Sequence, residues 1–342
     1  MKKKTLLRLI LPCCLVLTFM LPFAAGEAPL ETLRVGGSVR QPLSLTMKDL
    51  GRMQSVAVRL NEISQDGQYS GVYHYYGIPL RAILELAGIE KKGSAFNKFN
   101  DLAIVVKDKA GKTAVLSWGE VFYRNPGEIV VALSAMPVMP HKKCSNCHVN
   151  ADFYQERLSQ LSRPIGFPRL AVANDFYSDR SLEGIQSIEV VDLKPVAKTQ
   201  RLGDKLFSSK LIISGDVEKT QSVEDLSSYP REEVLTKAVG EGIGYHGIKH
   251  FSGASLAAVL QKAGLSKDPN TVFLVSAPDG YQSVVSYGEL FYTKAGRQIL
   301  LADRSGKAPL KKHGRFKLIL PDDQAADRWV KAVGGVEVIR LK

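Results

Sequence analysis

The stretch Ser117–Tyr123, which reads Ser-Trp-Gly-Glu-Val-Phe-Tyr, returns later in the chain as Ser286–Tyr292, Ser-Tyr-Gly-Glu-Leu-Phe-Tyr. Five of the seven residues are identical between the two stretches. Each stretch follows an apolar run, at Ala103–Lys107 and at Val272–Ser276, and then a polar turn that contains glycine. This order is typical of a strand, a turn and a second strand. The repetition therefore predicts one structural unit that is used twice.

Further matches follow in the same order on both sides of the repeated stretch. Val72–Leu80 corresponds to Ile248–Leu256, and each copy continues into an amphipathic helical pattern that ends in Ala-Gly. The period is far longer than a solenoid repeat, so it indicates a domain duplication. We predict a first unit over residues 27–192, a linker over 193–209 and a second unit over 210–342.

One interval differs in length between the two copies. Counted from the aromatic residue of the repeated motif, the segment that ends at Arg180 is 21 residues longer than the one that ends at Arg328. Surface loops on a rigid frame tolerate insertions and often carry chemistry. We therefore predict an inserted cassette at about 135–164, and we expect the flanking strands, Ile129–Leu133 and Leu170–Val172, to be neighbours in one domain.

The inserted region contains Cys144-Ser145-Asn146-Cys147-His148, which is a C-x-x-C-H motif. In exported proteins this spacing lets two thiols add to the vinyl groups of a haem while the adjacent imidazole binds the iron. The motif predicts one haem c. Cys144 and Cys147 are its predicted covalent anchors, and His148 is the predicted proximal iron ligand.

Three other interpretations of this motif stay open. The two thiols can form a disulfide that closes a tight loop. His141, Cys144, Cys147 and His148 match the ligand count of a zinc site, although adjacent ligands at 147 and 148 would strain a tetrahedron. The two cysteines can also stand beside a histidine by coincidence. An exported location does not separate haem from a disulfide, because it permits both.

A low-spin electron-transfer haem needs a second axial ligand, which is usually methionine or histidine. His141 is the first candidate and Met139 the second, because both lie just before the cysteines within residues 136–141. Their closeness to the cysteines requires the loop to wrap the edge of the ring. His74 and His250 occupy matched positions of the two copies, and only one copy has the motif. A shared structural role is therefore predicted for these two histidines.

The N-terminus has the pattern of an export signal. A basic start within residues 1–8 precedes the apolar run Leu9–Phe23, and small residues follow. We predict that residues 1–26 are a signal peptide and that the mature chain is periplasmic or otherwise exported. An uncleaved membrane anchor is one alternative, and a lipid anchor at Cys13 or Cys14 is another.

Composition and charge are those of a folded basic protein. The chain has 342 residues, of which 45% are hydrophobic and 23% charged, so it has room for two ordinary domains. Loss of the four basic residues of the predicted signal peptide lowers the formal net charge from +12 to +8. Such a field favours acidic redox partner proteins and peripheral association with an anionic membrane. A lysine and arginine stripe with interleaved aromatic residues, which would indicate nucleic-acid binding, is absent from the sequence.

The second copy contains an ordered series of short motifs between Gly215 and Ile339. They are Gly-x-Val, Glu-Asp-Leu, Gly-x-x-Leu, Leu-x-x-Ala-Gly, Asp-Gly-Tyr, Glu-Leu-Phe, Leu-x-x-Pro-Asp-Asp, Arg-Trp-Val and Val-Glu-Val-Ile. This series resembles the molybdopterin-binding domain of the sulfite oxidase family, and the first copy is similar to a more diverged version. The resemblance implies an α+β fold, with two tandem copies of a mixed, β-rich sulfite-oxidase-like molybdopterin-binding fold and short peripheral helices.

The resemblance also implies a molybdopterin cofactor. Members of this family that use molybdenum bind it through a cysteine in a loop after an early strand, and the corresponding loops, Leu60–Gly71 and Ala238–Gly247, contain no cysteine. A pterin would also need a basic pocket for its phosphate. The cations available for such a pocket are Arg59, Arg81, Lys311, Lys312 and Arg315.

These features predict three alternative functions. The first is an exported c-type monohaem protein on a degenerate molybdopterin-oxidoreductase scaffold, which transfers electrons. The second is a molybdopterin-dependent, sulfite-oxidase-like oxidoreductase in which the haem relays electrons. The third is a non-catalytic haem-binding or anion-binding sensory module. We favour the first because the C-x-x-C-H motif and the export signal agree with each other.

Overall fold

The computed structural model describes residues 32–91, 98–124, 129–138, 163–193, 206–240, 244–310 and 312–342. Residues Thr32–Lys342 belong to one unit. Below, residues 32–193 are called the first half and residues 206–342 the second half.

The strands of the first half arise from alternating patterns with one buried side. In Val56–Ile63, for example, Val58, Leu60 and Glu62 are buried while their neighbours face outward, which is the period of a strand with one covered face. These strands are β1 (Thr32–Gly37), β2 (Leu43–Thr46), β3 (Val56–Ile63), β4 (Tyr69–Pro79), β5 (Leu102–Asp108), β6 (Thr113–Ser117), β7 (Ile129–Pro137), β8 (Arg169–Val172) and β9 (Ile185–Asp192).

The second half has a corresponding series of strands. These are β10 (Leu211–Gly215), β11 (Gln221–Val223), β12 (Glu232–Val239), β13 (Tyr245–Ser255), β14 (Thr271–Ser276), β15 (Gln282–Ser286), β16 (Leu300–Ser305), β17 (Ala308–Pro309), β18 (Lys317–Ile319) and β19 (Gly335–Arg340).

The described helices are short. They are α1 (Met47–Leu50), α2 (Leu80–Ala87), α3 (Leu256–Lys262) and α4 (Tyr287–Phe291), with a π-helical turn at Glu120–Arg124 and 3₁₀ turns at Ser178–Arg180, Lys294–Gln298 and Ala326–Arg328. Helix α2 buries Leu80, Ile83, Leu84 and Ala87. This spacing places one apolar stripe on the core.

Within the described residues the strands form four small sheets, arranged like a four-bladed β-propeller. Two of the sheets have the orders β2-β1-β9-β5-β6 and β11-β10-β19-β14-β15. The other two have the orders β3-β4-β7-β8 and β12-β13-β16-β17, and β18 also pairs with β16. In each half, the first strand pairs in parallel with the last, as β1 with β9 and β10 with β19.

The predicted fold class is therefore wrong. An α+β fold with two tandem sulfite-oxidase-like molybdopterin-binding domains does not match four small sheets within one unit. The physical reason lies in β5 and β14, which are buried along most of their lengths. Ala103 and Val105 of the first half share an apolar cluster with Val272 and Leu274 of the second. Each half thus needs the other to cover a sheet face.

The repeated motif forms a polar contact inside this interface. The Glu120 carboxylate accepts hydrogen bonds from Nη2 of Arg180 at 3.0 Å and from the Ser286 hydroxyl of the other half at 2.6 Å. Asp175 is a second carboxylate partner of Arg180, at 2.7 Å. A Cβ atom added to Gly288 would lie 2.1 Å from the Arg180 guanidinium. Only glycine leaves room there for the arginine that crosses from the first half.

The second half makes the equivalent contact through the residues at the matched positions. The Glu289 carboxylate accepts from Nη2 of Arg328 at 2.6 Å and from the Ser117 hydroxyl at 2.9 Å. Asp323 accepts from the same Arg328 nitrogen at 2.6 Å. Burial opposes ionisation of Glu289, but the neighbouring arginine outweighs it and holds the pKa of Glu289 below its usual value. A Cβ atom on Gly119 would lie 2.2 Å from Arg328 Cδ.

We expect Arg328→Met to destabilise the protein by about 3–5 kcal/mol, because it leaves the buried Glu289 and Asp323 carboxylates without their cation. Chemical denaturation of the mature chain measures the change. Arg297→Ala, at an exposed position of the same half, is the control and should alter the free energy of unfolding by less than about 0.5 kcal/mol. Equal effects of the two substitutions would contradict the expectation that the buried contacts of Arg328 with Glu289 and Asp323 stabilise the fold.

Candidate functional site

The residues predicted to hold the haem lie outside the described part of the chain. They are Cys144, Cys147 and His148 for attachment and proximal ligation, with His141 and Met139 as candidate distal ligands. The structure describes the chain up to Val138 and again from Arg163. Val138 directly follows β7, and Arg163 precedes β8.

Strands β7 and β8, on either side of the predicted insert, pair with each other. Ile129 lies opposite Val172, and Ala132 lies opposite Arg169. The prediction that the flanking strands are neighbours is confirmed. In the second half, the matched strands β16 and β18 pair in the same antiparallel manner. Residues 139–162 thus belong to the connection between two paired strands.

The outgoing end of this connection is held by the backbone of β4. Strand β7 continues beside β4 until Pro137, which lies opposite Tyr73. The Val138 N–H then donates a hydrogen bond of 2.7 Å to the Val72 carbonyl. The chain therefore leaves the sheet at a defined point near the start of β4.

The returning end is held by a cluster of charged side chains. Arg163 makes ion pairs of 2.5 Å with Glu62 and 2.6 Å with Glu183. Glu62 also pairs with the buried Arg169, at 2.8 Å, and accepts a hydrogen bond from the Tyr75 hydroxyl. Burial raises the pKa of Tyr75, so its hydroxyl stays protonated as a donor. The cluster fixes Arg163 to β3 and to the segment before β9.

We expect Glu62→Ala to destabilise the protein by about 3 kcal/mol, because the side chain is 3% exposed and its loss leaves the equally buried Arg169 with one partner fewer. Arg163→Ala should cost only about 1 kcal/mol, since its side chain is 34% exposed. Urea denaturation compares the two. Glu85→Ala, which breaks an exposed pair with Arg81, is the control with almost no effect. A smaller loss for Glu62→Ala than for Arg163→Ala would contradict this ranking.

The sheet β3-β4-β7-β8 carries, on its outward face, two side chains of types that can bind iron. Met136 on β7 lies directly opposite His74 on β4, and Arg59 on β3 lies opposite His74 on its other side. Met136 is 53% exposed, and His74 is half-buried. Tyr73 and Tyr75 alternate with His74 and point into the core. We call this outward row of Arg59, His74 and Met136 the β4 face.

A second candidate site is a cavity of about 510 Å³ in the second half. Cationic or titratable nitrogen groups line it, with no carboxylate among the described lining residues: Lys249, Lys312, Lys317, Lys331, His246 and His313. Phe251 and Trp329 form an aromatic wall, with the Lys317 ammonium 4.8 Å from the Trp329 ring centroid. We call this cavity the basic pocket. Its charge and aromatic wall suit an anion with a flat or apolar body.

The cations that the sequence suggested for a pterin phosphate do not converge. Arg81 pairs with Glu85 on the surface of α2, and Arg315 donates to the Glu224 carbonyl at 2.5 Å. Lys312 lines the basic pocket, and Lys311 lies outside the described residues. The other lysines of the pocket are Lys249 on β13, Lys317 on β18 and Lys331 in the segment before β19. No local pattern marks them, so sequence reasoning missed them.

The side chains around the basic pocket determine whether the molybdenum and the phosphate of a molybdopterin cofactor could be bound there. Ala238, Val239, Gly240 and His246 line the pocket, and they belong to the loop that would carry the molybdenum ligand. That loop contains no cysteine, so molybdenum bound through a thiolate does not fit. A phosphate or another anion fits the lysines.

A further cavity of about 540 Å³ lies between the halves. It combines Arg59, Arg124 and Lys294 with Asp175 and Asp322. Arg124 is 3.6 Å from Asp322, and Asp175 is bound by Arg180. The cavity therefore has cations and carboxylates together, unlike the basic pocket.

The described residues contain no cluster of three or more His, Cys, Asp or Glu side chains suited to a metal ion. Of the helices in this part of the chain, none has both the length and the apolar character needed to cross a membrane.

Comparisons with known proteins show a distant structural likeness. No model of a known protein family matches the sequence, and no curated protein matches it. Among the solved structures that match is the sulfane dehydrogenase SoxCD from Paracoccus pantotrophus, with 14% sequence identity. The match covers 91% of this chain and 78% of that chain, with a TM-score of 0.33. A likeness of this size supports no conclusion about function.

Proposed function

We propose that this protein is an exported c-type monohaem protein that transfers electrons. The observation that carries the proposal is the C-x-x-C-H spacing of Cys144, Cys147 and His148. Two thioether bonds would anchor the haem and one imidazole would bind its iron. When bound, the group would supply a reversible one-electron couple, and this chain's residues would attach it and tune it.

The frame around the motif supports this proposal. The connection that carries it joins two paired strands, and its ends are held by Val72 and by the Glu62 cluster. The β4 face beside the outgoing end offers His74 and Met136, which are the two side-chain types that bind haem iron in electron-transfer proteins. Covalent attachment on a rigid frame holds a redox centre in a fixed position.

Charge and targeting suggest where the protein works and with which partners. The proposed signal peptide, residues 1–26, directs the chain to the periplasm or another exported location. The remaining chain has a formal net charge of +8 after the four basic residues of that segment are removed from +12. A basic redox protein of this kind would meet acidic redox partners or associate peripherally with an anionic membrane.

We expect Cys144→Ser/Cys147→Ser to abolish covalent haem while the fold remains, because the matched strands β16 and β18 pair in the same way in the second half, which has no C-x-x-C-H motif. The pyridine haemochrome spectrum should lose its c-type band, and the intact mass should fall by one haem relative to wild type. The midpoint of unfolding should decrease only modestly, by about 1 kcal/mol in free energy.

The control for this experiment is the wild-type chain produced with the same haem-attachment machinery. A wild-type protein without a c-type band would overturn the proposed function. A cofactor-free double variant that is molten or insoluble would instead show that the haem is the nucleus of its surroundings.

The basic pocket favours a second function, an anion-binding module. Four lysines converge on one cavity with an aromatic wall. A molybdopterin-dependent enzyme, with the haem as its electron relay, would use the same pocket, but the missing thiolate argues against it. Metal analysis of protein purified from its native host separates these readings, because the enzyme requires bound molybdenum.

We expect pyrophosphate to bind the mature protein, and Lys249→Ala/Lys312→Ala to weaken that binding about ten-fold or more, since each lysine contributes a charge-assisted contact. Isothermal titration calorimetry at low and high salt measures the affinity, which should fall with salt. Lys267→Ala removes an exposed lysine outside the pocket and should leave the affinity unchanged. Equal losses for both variants would indicate only non-specific attraction.

A further inference from the structure

We infer that the cavity of about 540 Å³ between the halves binds a small zwitterion of the class of free α-amino acids. Below it is called the mixed cavity, because cationic and carboxylate side chains both line it. Its volume is within the range of roughly 300–1,000 Å³ that is usual for small-molecule sites. The site consists of described residues and does not depend on the proposed haem attachment.

The arginines of the mixed cavity are not fully used by their neighbours. Arg59, on β3, has no hydrogen bond or ion pair within the part of the chain that the structure describes. The side chain of Arg124 is only 10% exposed. Its polar neighbours Thr293, Glu289 and Asp322 lie 3.3–3.7 Å away, whereas a charge-assisted hydrogen bond is normally about 2.7–2.9 Å long. Both guanidinium groups can therefore bind a ligand carboxylate more closely than they bind these neighbours.

Of the two carboxylates among the described lining residues, only Asp322 is available to a ligand. Asp175 is buried, and its two oxygens accept hydrogen bonds from Arg180 at 2.7 and 2.8 Å. The side chain of Asp322 is 48% exposed, and it has no hydrogen bond with any described residue. An ammonium group can therefore bind Asp322 without breaking a hydrogen bond.

The spacing of these charges suits an α-amino acid. Asp322 lies 3.6 Å from Arg124, so a site for an ammonium group and a site for a carboxylate are adjacent. In an α-amino acid a single carbon atom joins these two groups, and both can contact such a pair of side chains at once. A ligand with one charge would remove water from both side chains and compensate only one of them, which costs free energy.

The mixed cavity also has an apolar part that can accept the side chain of an amino acid. Val72, Ala173, Phe176 and Ala295 contribute to the lining. Phe176 is 53% exposed, so a bound apolar group can cover part of its ring. The lining therefore favours an amino acid with a short apolar side chain over one with a charged side chain.

The repeated frame does not require the two arginines. At the matched position of the second half, Leu235 stands in the place of Arg59. Thr293 follows the second copy of the repeated motif, where Arg124 follows the first copy. The second half forms the same strand arrangement with these residues. The two arginines of the first half are therefore available for a ligand.

The test is isothermal titration calorimetry of the mature chain with L-leucine and with two analogues that each lack one charge. N-acetyl-L-leucine has no ammonium group, and L-leucinamide has no carboxylate. We expect L-leucine to bind about ten-fold more tightly than either analogue, because each analogue loses a charge-assisted contact. The inference is overturned if L-leucine does not bind, or if either analogue binds as tightly as L-leucine.

Two variants at exposed positions assign each charge to its side chain. Asp322→Asn should weaken L-leucine binding about ten-fold and leave the affinity for N-acetyl-L-leucine unchanged. Arg59→Leu, which introduces the residue of the second half, should weaken both of these ligands and leave L-leucinamide unaffected. Glu224→Gln removes an exposed carboxylate outside the cavity and should change no affinity.

Far-ultraviolet circular dichroism checks that each variant keeps its fold. An Asp322→Asn variant that is folded and binds L-leucine as tightly as the wild type would overturn the inference. Equal losses for L-leucine and N-acetyl-L-leucine in that variant would also overturn it, because the aspartate would then not recognise the ammonium group.

Discussion

The buried crossing of two arginines over two glycines is the contact on which the rest of the fold depends. Each arginine lies against the glycine of the other half's motif, and each motif serine donates to the other half's glutamate: Arg180 over Gly288, Arg328 over Gly119, Ser286 to Glu120 and Ser117 to Glu289. Buried charges are tolerated only when their partners are complete. The charge pairs are completed within each half, and the serine–glutamate hydrogen bonds and arginine–glycine contacts fix the orientation of one half relative to the other.

These contacts between the halves agree with their forming one compact unit. Strands β5 and β14 each cover an apolar cluster shared between the halves, so separation would expose apolar surface and break the serine–glutamate hydrogen bonds between the halves. The same constraint leaves the outer sheets free to differ. Strands β3, β4, β7 and β8 hold the connection with the C-x-x-C-H motif, whereas the matched sheet borders the basic pocket.

The two outer sheets show how one strand arrangement can carry different chemistry. In the second half, Nε2 of His250 lies 3.3 Å from a carboxylate oxygen of Glu233. In the first half, the matched histidine is His74, and Ala57 occupies the position that corresponds to Glu233. The basic pocket is lined by several lysines. The β4 face instead carries the row Arg59, His74 and Met136. Substitution on the outward face costs little stability, because it leaves the buried faces of the strands unchanged.

The sequence by itself determined the local elements, and it contains the C-x-x-C-H motif on which the proposed haem attachment rests. The repeat predicted matched hairpins, the length difference predicted an insert between neighbouring strands, and the C-x-x-C-H spacing predicted haem chemistry. The tertiary structure alone decided the four-sheet arrangement, the basic pocket and the pairing of His74 with Met136. The physical reason is range: strand periodicity and motif spacing act over a few residues, whereas sheet packing and the convergence of Lys249, Lys317 and Lys331 depend on contacts between distant segments.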